Sequence, residues 1–203
     1  MTVEFFPWMY DVVMGAAERG VVGRWRRILL RPAAGRILEI GAGTGLGFAY
    51  YSAQATVVAI DPSLSMLQRA RERVAAAEAT IMLVAADADS LPFRDDTFDE
   101  SVVELAMCTI EHPAGALAEM RRVMRPGAAL RMLEHVRFEQ PLAGWLQDRL
   151  TPVWRRVAGG CRLNRRTVNL VAAAGFTLGT VDRALGGYVV TILASKPGPR
   201  RGD

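Results

Sequence analysis

The sequence predicts an α/β fold built on a largely parallel sheet, and three observations carry that prediction. A short apolar run, Ile37-Leu38-Glu39-Ile40, leads straight into a glycine-rich turn, Gly41-Ala42-Gly43-Thr44-Gly45-Leu46-Gly47. A second run, Ala55 to Ile60, ends in Asp61, 18 residues after Gly43. Beyond it, apolar runs of strand length alternate with segments of helical period, which is the pattern of parallel strands joined by helices. At 203 residues the chain suits one domain with a sizeable core.

The elements follow in order. Residues 5 to 31 read as helical with a break near Gly15 or Gly20. Arg24, Arg26 and Arg27 form a basic end, and Pro32 stops the helix. That basic end reads as a solvated helix terminus, with an anionic membrane surface as the alternative. Strand one covers 36 to 41, and the glycine turn then opens a short helix to about Tyr51. Strand two is 55 to 60. Residues 63 to 77 are helical, with Leu64, Met66, Leu67, Ala70 and Val74 as the core stripe. Strand three, Ile81 to Ala85, runs into Asp87-Ala88-Asp89. Strand four opens at Thr97 and reaches about Leu105, and a helix follows over 114 to 124. Arg125-Pro126-Gly127 reads as a turn before strand five, Leu130 to Val136. A helix over 141 to 158 carries Trp145, Leu146, Leu150, Val153 and Trp154, an apolar set expected to pack, as a cover over the site or as ordinary core. Another helix begins after Gly159-Gly160, with Asn164 as its cap, and ends at Gly175. Phe176 to Val181 and Tyr188 to Ala194 form a closing hairpin. Thus 1–195 reads as a single domain, with capping segments at 1–31 and 138–160 and a disordered tail at 196–203.

The candidate site lies where the strands end. Glycines at 41, 43 and 45 let a ligand approach the backbone, and the N–H groups of the turn face it. Asp61, at the tip of the neighbouring strand, is placed to accept from two ribose hydroxyls, and it also suits a helix cap ahead of Pro62. The ligand is therefore a nucleoside-containing cofactor. A dinucleotide turn wants its third glycine three positions after the second. The tighter spacing here, with Glu39 just before the turn, disfavours a pyrophosphate and suits a ligand bearing a positive amino group. Glu104 sits at the carboxyl end of an apolar strand, where a charge needs a partner. Glu134 and His135 end strand five and are the candidates for steering a substrate or moving its proton, with a structural role for His135 as the alternative.

The run Leu38-Glu39-Ile40-Gly41-Ala42-Gly43-Thr44-Gly45, together with Asp61, Asp87, Leu91-Pro92-Phe93 and Arg125-Pro126-Gly127, resembles the class I S-adenosylmethionine (SAM) methyltransferases of the type 11 kind. The resemblance implies a Rossmann-like sheet of seven strands in the order 3-2-1-4-5-7-6, the last antiparallel, with helices on both faces. It implies cofactor contacts at Tyr10, Glu39, Gly41, Ala42, Gly43, Thr44, Gly45, Asp61, Pro62, Met66, Asp87, Ala88, Asp89 and Glu104. Tyr10 would face the cofactor or pack its own helix. Met66 would lie on the adenine, and Asp87, ahead of Asp89, would take the adenine amine. In the second half Glu134-His135-Val136, Trp145, Gln147-Asp148, Pro152, Trp154 and Gly160-Cys161 are similar to a narrower set. That set holds bacterial phospholipid or amine N-methyltransferases and mammalian thiol S-methyltransferases.

Composition narrows the partners. The net charge is +4, yet of the 25 basic residues only Lys196 is a lysine, and the arginines are scattered without an aromatic-rich basic face. No nucleic-acid partner is expected. The expected partner is a small-molecule methyl acceptor, with at most peripheral membrane contact, in a monomer or homodimer. No apolar stretch has transmembrane length, and Glu4 and Asp11 interrupt any secretion signal, so a cytoplasmic location is expected. Cys108 and Cys161 are far apart and lack metal-ligand spacing, so reduced thiols and no metal are expected.

Overall fold

The strands at the centre of the sheet form where β-branched and aliphatic residues cluster, and the first two end at Gly41 and Asp61. In the computed structural model, which describes residues 11, 12, 14, 15 and 20–198, seven strands make one sheet. These are β1 (Gly35–Ile40), β2 (Ala55–Asp61), β3 (Thr80–Ala85), β4 (Phe98–Glu104), β5 (Met124–His135), β6 (Thr177–Ala184) and β7 (Val189–Ser195). Their order is β3-β2-β1-β4-β5-β7-β6. Pairs among β1 to β5 are parallel, and β7 runs antiparallel to both β5 and β6. The helices are α1 (Val21–Leu30), α2 (Leu64–Val74), α3 (Pro113–Val123), α4 (Pro141–Val157) and α5 (Thr167–Ala173).

Two apolar cores follow from the two faces. Val22, Leu29 and Leu30 of α1 and Leu67 and Ala70 of α2 bury against Ile37, Val57 and Val102. On the other side Leu117 and Met120 of α3 and Val171 of α5 bury against Leu38, Ile60 and Met132. Alternation along each parallel strand feeds both cores, which is why these strands read as continuous apolar runs.

Several expectations change. The helix after the glycine turn is a single 3-10 turn, Phe48–Tyr50. Gly41, Gly43 and Gly45 all have positive φ, a region closed to right-handed helix, so few residues are left to coil. Strand β5 begins at Met124, which pairs with Phe98, and the expected turn at Arg125-Pro126-Gly127 is a register shift within it, with Gly127 at φ +82°. Leu64, placed in the core stripe, is 66% exposed. Ser63 caps α2 by accepting from Met66 N. Asn164 caps nothing, because its amide donates to Asp148 Oδ1 at 2.9 Å while α5 starts after Arg166. Lys196, assigned to a disordered tail, is tied down. Its Nζ donates to Asp96 Oδ1 at 2.8 Å and Met124 O at 2.7 Å. Tyr10, with the rest of residues 1–10, 13, 16–19 and 199–203, lies outside the described residues.

The largest departure is α4. The buried residues of this helix are Gly144, Gln147 and Thr151. Gln147 accepts from Phe138 N at 2.8 Å and donates to Val136 O at 3.2 Å and Leu163 O at 2.8 Å. Asp148 pairs with Arg137 at 2.8 Å. Trp145, Leu146, Leu150, Val153 and Trp154 all face outward. The helix is docked through its polar side and shows its apolar side. The expectation that this apolar set packs over the site or into the core is therefore corrected: the backbone groups of Phe138, Val136 and Leu163 needed polar partners, and only that side of the helix supplies them.

Candidate active site

The site is built at the carboxyl ends of β1, β2, β4 and β5. Gly41 and Ala42 both donate to Ile60 O at 2.9 Å, which bends the chain off β1. A Cβ on Gly41 would sit 2.3 Å from that of Ala106, and φ there is +72°, so only glycine fits between the turn and the end of β4. Asp61 then fastens the turn. Its Oδ2 accepts from Gly43 N and its Oδ1 from Ser63 N, both at 2.9 Å. Burial pushes the Asp61 carboxyl up, and these two N–H groups pull it back. Each oxygen keeps a lone pair, so two hydroxyl donors can still be accommodated.

Above the turn lies a contact that the residue pattern did not announce. Thr44 Oγ1 donates to Asp11 Oδ1 at 2.6 Å, and Arg73 joins Thr44 O at 2.6 Å to Asp11 Oδ2 at 2.9 Å. Arg69 adds a third bond at 3.1 Å. Burial opposes ionisation of Asp11, but the bonds from Thr44, Arg73 and Arg69 outweigh it and hold its carboxyl below the usual range. Asp11 is thereby fixed over the glycine turn. A lone acid in an apolar helix was the only available signal.

Below the turn, Glu39 and Glu104 share one face of the sheet. A Cβ on Gly47 would lie 2.5 Å from Glu104 Oε2 and 3.4 Å from Glu39 Oε1, so this glycine makes room for the pair. Burial, then the nearby Glu104, push Glu39 up to about 8, against the pull of Arg26. Arg26 Nε stands 3.7 Å from Glu104 Oε2, and both side chains are buried. Arg26 was expected at a solvated or membrane-facing helix end. The buried acids draw it inward instead, because a charge so deep needs a counter-charge.

At the far end, Asp89 N donates to Asp87 Oδ1 at 3.1 Å. Asp87 is exposed, Ala88 is buried, and Asp89 Oδ1 has no hydrogen-bond partner among the described residues. Pro62 is exposed and Met66 half-buried at the start of α2. Glu134 is fully buried, and its Oε1 accepts from Ala106 N at 3.1 Å and Met107 N at 2.9 Å. It holds the chain that leaves β4. Burial pushes Glu134 up to about 7, with the Met107 N–H opposing. His135 points its Nε2 at Cys161 Sγ, 3.2 Å away, and its ring stacks on Tyr188 at 5.3 Å.

Comparison with known proteins gives the family. A family model described as a methyltransferase domain matches residues 38–132. A ubiquinone/menaquinone biosynthesis C-methyltransferase of Syntrophotalea carbinolica is 34% identical over 161 residues, 74% of this chain and 67% of that one. The chain belongs to the SAM-dependent methyltransferase family. A thiol S-methyltransferase of Homo sapiens is 29% identical over 176 residues, 80% of this chain and 71% of that one. The chain spans 54% and 56% of two bacterial demethylmenaquinone methyltransferases, from Paenarthrobacter aurescens and Renibacterium salmoninarum. The fold matches a SAM-dependent methyltransferase from Aquifex aeolicus with a TM-score of 0.68 at 18% identity, over 95% of this chain and 99% of that one.

The methyltransferase site also fits the cofactor on its own chemistry. SAM offers donors at the ribose, the adenine amine and the amino group. The chain sets acceptors at three corresponding places: Asp61, the Asp87–Asp89 pair and the buried acids beneath Gly47. Oxygens of Asp89 and Glu39 are left without hydrogen-bond partners among the described residues.

Proposed function

We propose that this chain moves a methyl group from SAM to a nucleophilic nitrogen, sulfur or oxygen of a small molecule by in-line displacement. The observation that carries the reading is Asp61 clamped between Gly43 N and Ser63 N at the tip of β2. That holds a carboxylate ready for the ribose before any ligand arrives. Gly41, Ala42, Gly43, Thr44 and Gly45 then form the cradle, with Pro62 and Met66 beside it; a contact from Tyr10 rests on the resemblance alone, since that residue lies outside the described ones. Asp87 or Asp89 takes the adenine amine, and Ala88 lends its backbone. Glu104 supplies a negative field for the amino group from beneath, and Glu39, protonated below about 8 in the free site, offers it an accepting oxygen.

SAM when bound supplies an activated methyl, so the protein's task is orientation. Fixing acceptor and methyl in line is worth up to roughly 7–11 kcal/mol of the barrier. His135, at the end of β5, receives the acceptor's proton where the acceptor arrives protonated. Glu134 positions the strand tip by gripping Ala106 N and Met107 N. The human relative's thiol acceptor makes a sulfur nucleophile the first class to try. No helix among the described residues is long and apolar enough to cross a membrane, and we place the chain in the cytoplasm with at most peripheral membrane contact.

Titration calorimetry with SAM, S-adenosylhomocysteine and NAD tests the cofactor, followed by a screen of thiols, amines and phenols for turnover. Binding of the first two with methylation of any acceptor supports the reading. NAD binding, or SAM binding with no turnover across the screen, replaces it with an oxidoreductase or a non-catalytic SAM-binding domain.

A further inference from the structure

Three segments far apart in sequence bring soft donors to one point. Cys108 comes from the loop after β4, His135 from the end of β5, and Cys161 from the turn after α4. Their donor atoms lie within 4.8 Å of one another, with Cys161 Sγ and His135 Nε2 3.2 Å apart. We propose that Cys108 Sγ, His135 Nε2 and Cys161 Sγ bind a zinc ion, leaving its fourth position open to the methyl acceptor. The role of the open position rests on the methyl-transfer reading above, whereas the metal site does not.

The spacing suits the ion. With Zn–S near 2.3 Å and Zn–N near 2.0 Å, donors around a tetrahedral zinc stand about 3.5–3.8 Å apart. The observed spread reaches that by shifts of about 1 Å or less. The ligand set selects the metal class as well. Two thiolates and an imidazole suit zinc, while magnesium and calcium ask for oxygen. Two thiolates cancel the charge of a divalent zinc, which favours a partly buried place. Three protein ligands with one free position is the arrangement of a catalytic zinc, since structural sites fill all four.

The scaffold holds these donors by contacts of its own. Arg162 N donates to Cys108 O at 3.0 Å, tying the two cysteine segments together through the backbone. Cys161 N is fixed to Ala158 O at 2.9 Å, and Gly160, at φ +86°, turns the chain. Tyr188 sets the plane of the imidazole from one side, and Glu134 grips the backbone just ahead of Cys108. Both cysteines are free thiols. Cys108 is buried, His135 largely so and Cys161 only partly, which leaves an ion a way in on the Cys161 side.

Position gives the ion a task. Cys108 lies two residues beyond Ala106, and Ala106 backs directly onto Gly41 of the cofactor turn. A thiol bound at the open position would stand beside the methyl donor. Coordination would lower the thiol's pKa so that its proton passes to water and a thiolate remains, and His135 would then act as a ligand and not as the base.

The test uses the full chain, purified reduced and stripped of metal. Zinc is titrated against a chromogenic chelator, and cobalt(II) is added separately as a spectroscopic probe. The expected result is one equivalent of zinc and a cobalt spectrum with thiolate charge-transfer bands and intense tetrahedral d–d bands. Cys108→Ala, Cys161→Ser and His135→Asn should each weaken zinc binding by more than about 100-fold, beyond the effect of losing an outer-shell partner. SAM calorimetry on the two cysteine variants reports folding and the cofactor site independently of the metal. Zinc binding without SAM binding would sink the methyl-transfer reading and spare the metal site. SAM binding without zinc binding would do the reverse. Cobalt bound without thiolate bands, an unchanged zinc affinity in Cys161→Ser, or a Cys108–Cys161 disulfide that forms in a protein with no zinc affinity would each overturn the proposal.

Discussion

Removing the Asp61 carboxylate should cost both stability and cofactor affinity, in proportions the geometry sets. Asp61→Ala orphans two backbone donors, Gly43 N and Ser63 N, each now held at 2.9 Å. A buried donor left unmet costs about 1–3 kcal/mol. Both donors sit in half-exposed residues, so water recovers part, and a net loss of about 2–4 kcal/mol is expected. For a domain of this size that lowers Tm by about 4–16 °C. Asp61→Asn keeps one acceptor oxygen and turns an amide toward the other N–H, so about half that loss is expected. The cofactor effect is separate. Losing two ribose hydroxyl bonds to a charged acceptor, at about 1.5–3 kcal/mol each, weakens SAM by at least about 100-fold. Circular dichroism melts and SAM calorimetry, the latter well below each variant's Tm, read the two effects. Full SAM affinity in an Asp61→Ala protein whose Tm has fallen would refute the reasoning. The acid would then be a staple of the turn and nothing more.

Two further outcomes follow from burial. In α4, Gln147→Leu should destabilise by about 2–4 kcal/mol by stranding three backbone groups, one buried and two partly buried, while Leu150→Ser on the outward face stays within about 0.5 kcal/mol. Denaturant melts giving the opposite ranking would mean that the apolar side carries the docking. For Glu39, burial and Glu104 raise the folded-state value from 4.5 to about 8. Between those values the folded chain holds a proton that the unfolded chain has released, so the stabilisation is full below 4.5 and is lost as pH rises through 8. Glu39→Gln removes that dependence, so its Tm relative to the parent should climb from about pH 5 to about pH 8. Parallel curves would mean that Glu39 titrates normally.

What the residue pattern made legible was whatever depends on neighbours along the chain. The first two strands were visible because each is a run of apolar side chains closed by Gly41 or Asp61. The Gly41 turn and Asp61 were visible because one tight bend and one strand tip define them. The grouping of Cys108, His135 and Cys161 was hidden: the two cysteine segments meet across the fold, where Arg162 N donates to Cys108 O. The inverted burial of α4 was hidden for a similar reason. Its apolar stripe has ordinary helical spacing, and the pull of Val136, Phe138 and Leu163 on Gln147 depends on where β5 ends. Arg26 looked like one of three surface arginines until Glu104 was found below it. Glu134 read as a reactive acid, and the structure shows that one of its oxygens is committed to the backbone at 106 and 107.

The position of β7 between β5 and β6 has a consequence for how the protein is made. Strand β5 is synthesised by residue 135, but its outer partner is complete only at Ser195. At about 5–20 residues per second, roughly 3–12 seconds separate the two during translation. Throughout that interval the β5 edge is an unpaired row of backbone donors and acceptors, and β6 cannot close it, because β6 pairs with β7 alone. A nascent chain halted between Ala184 and Val189 would carry five ordered parallel strands and one open, apolar edge, the species most prone to join another copy of itself.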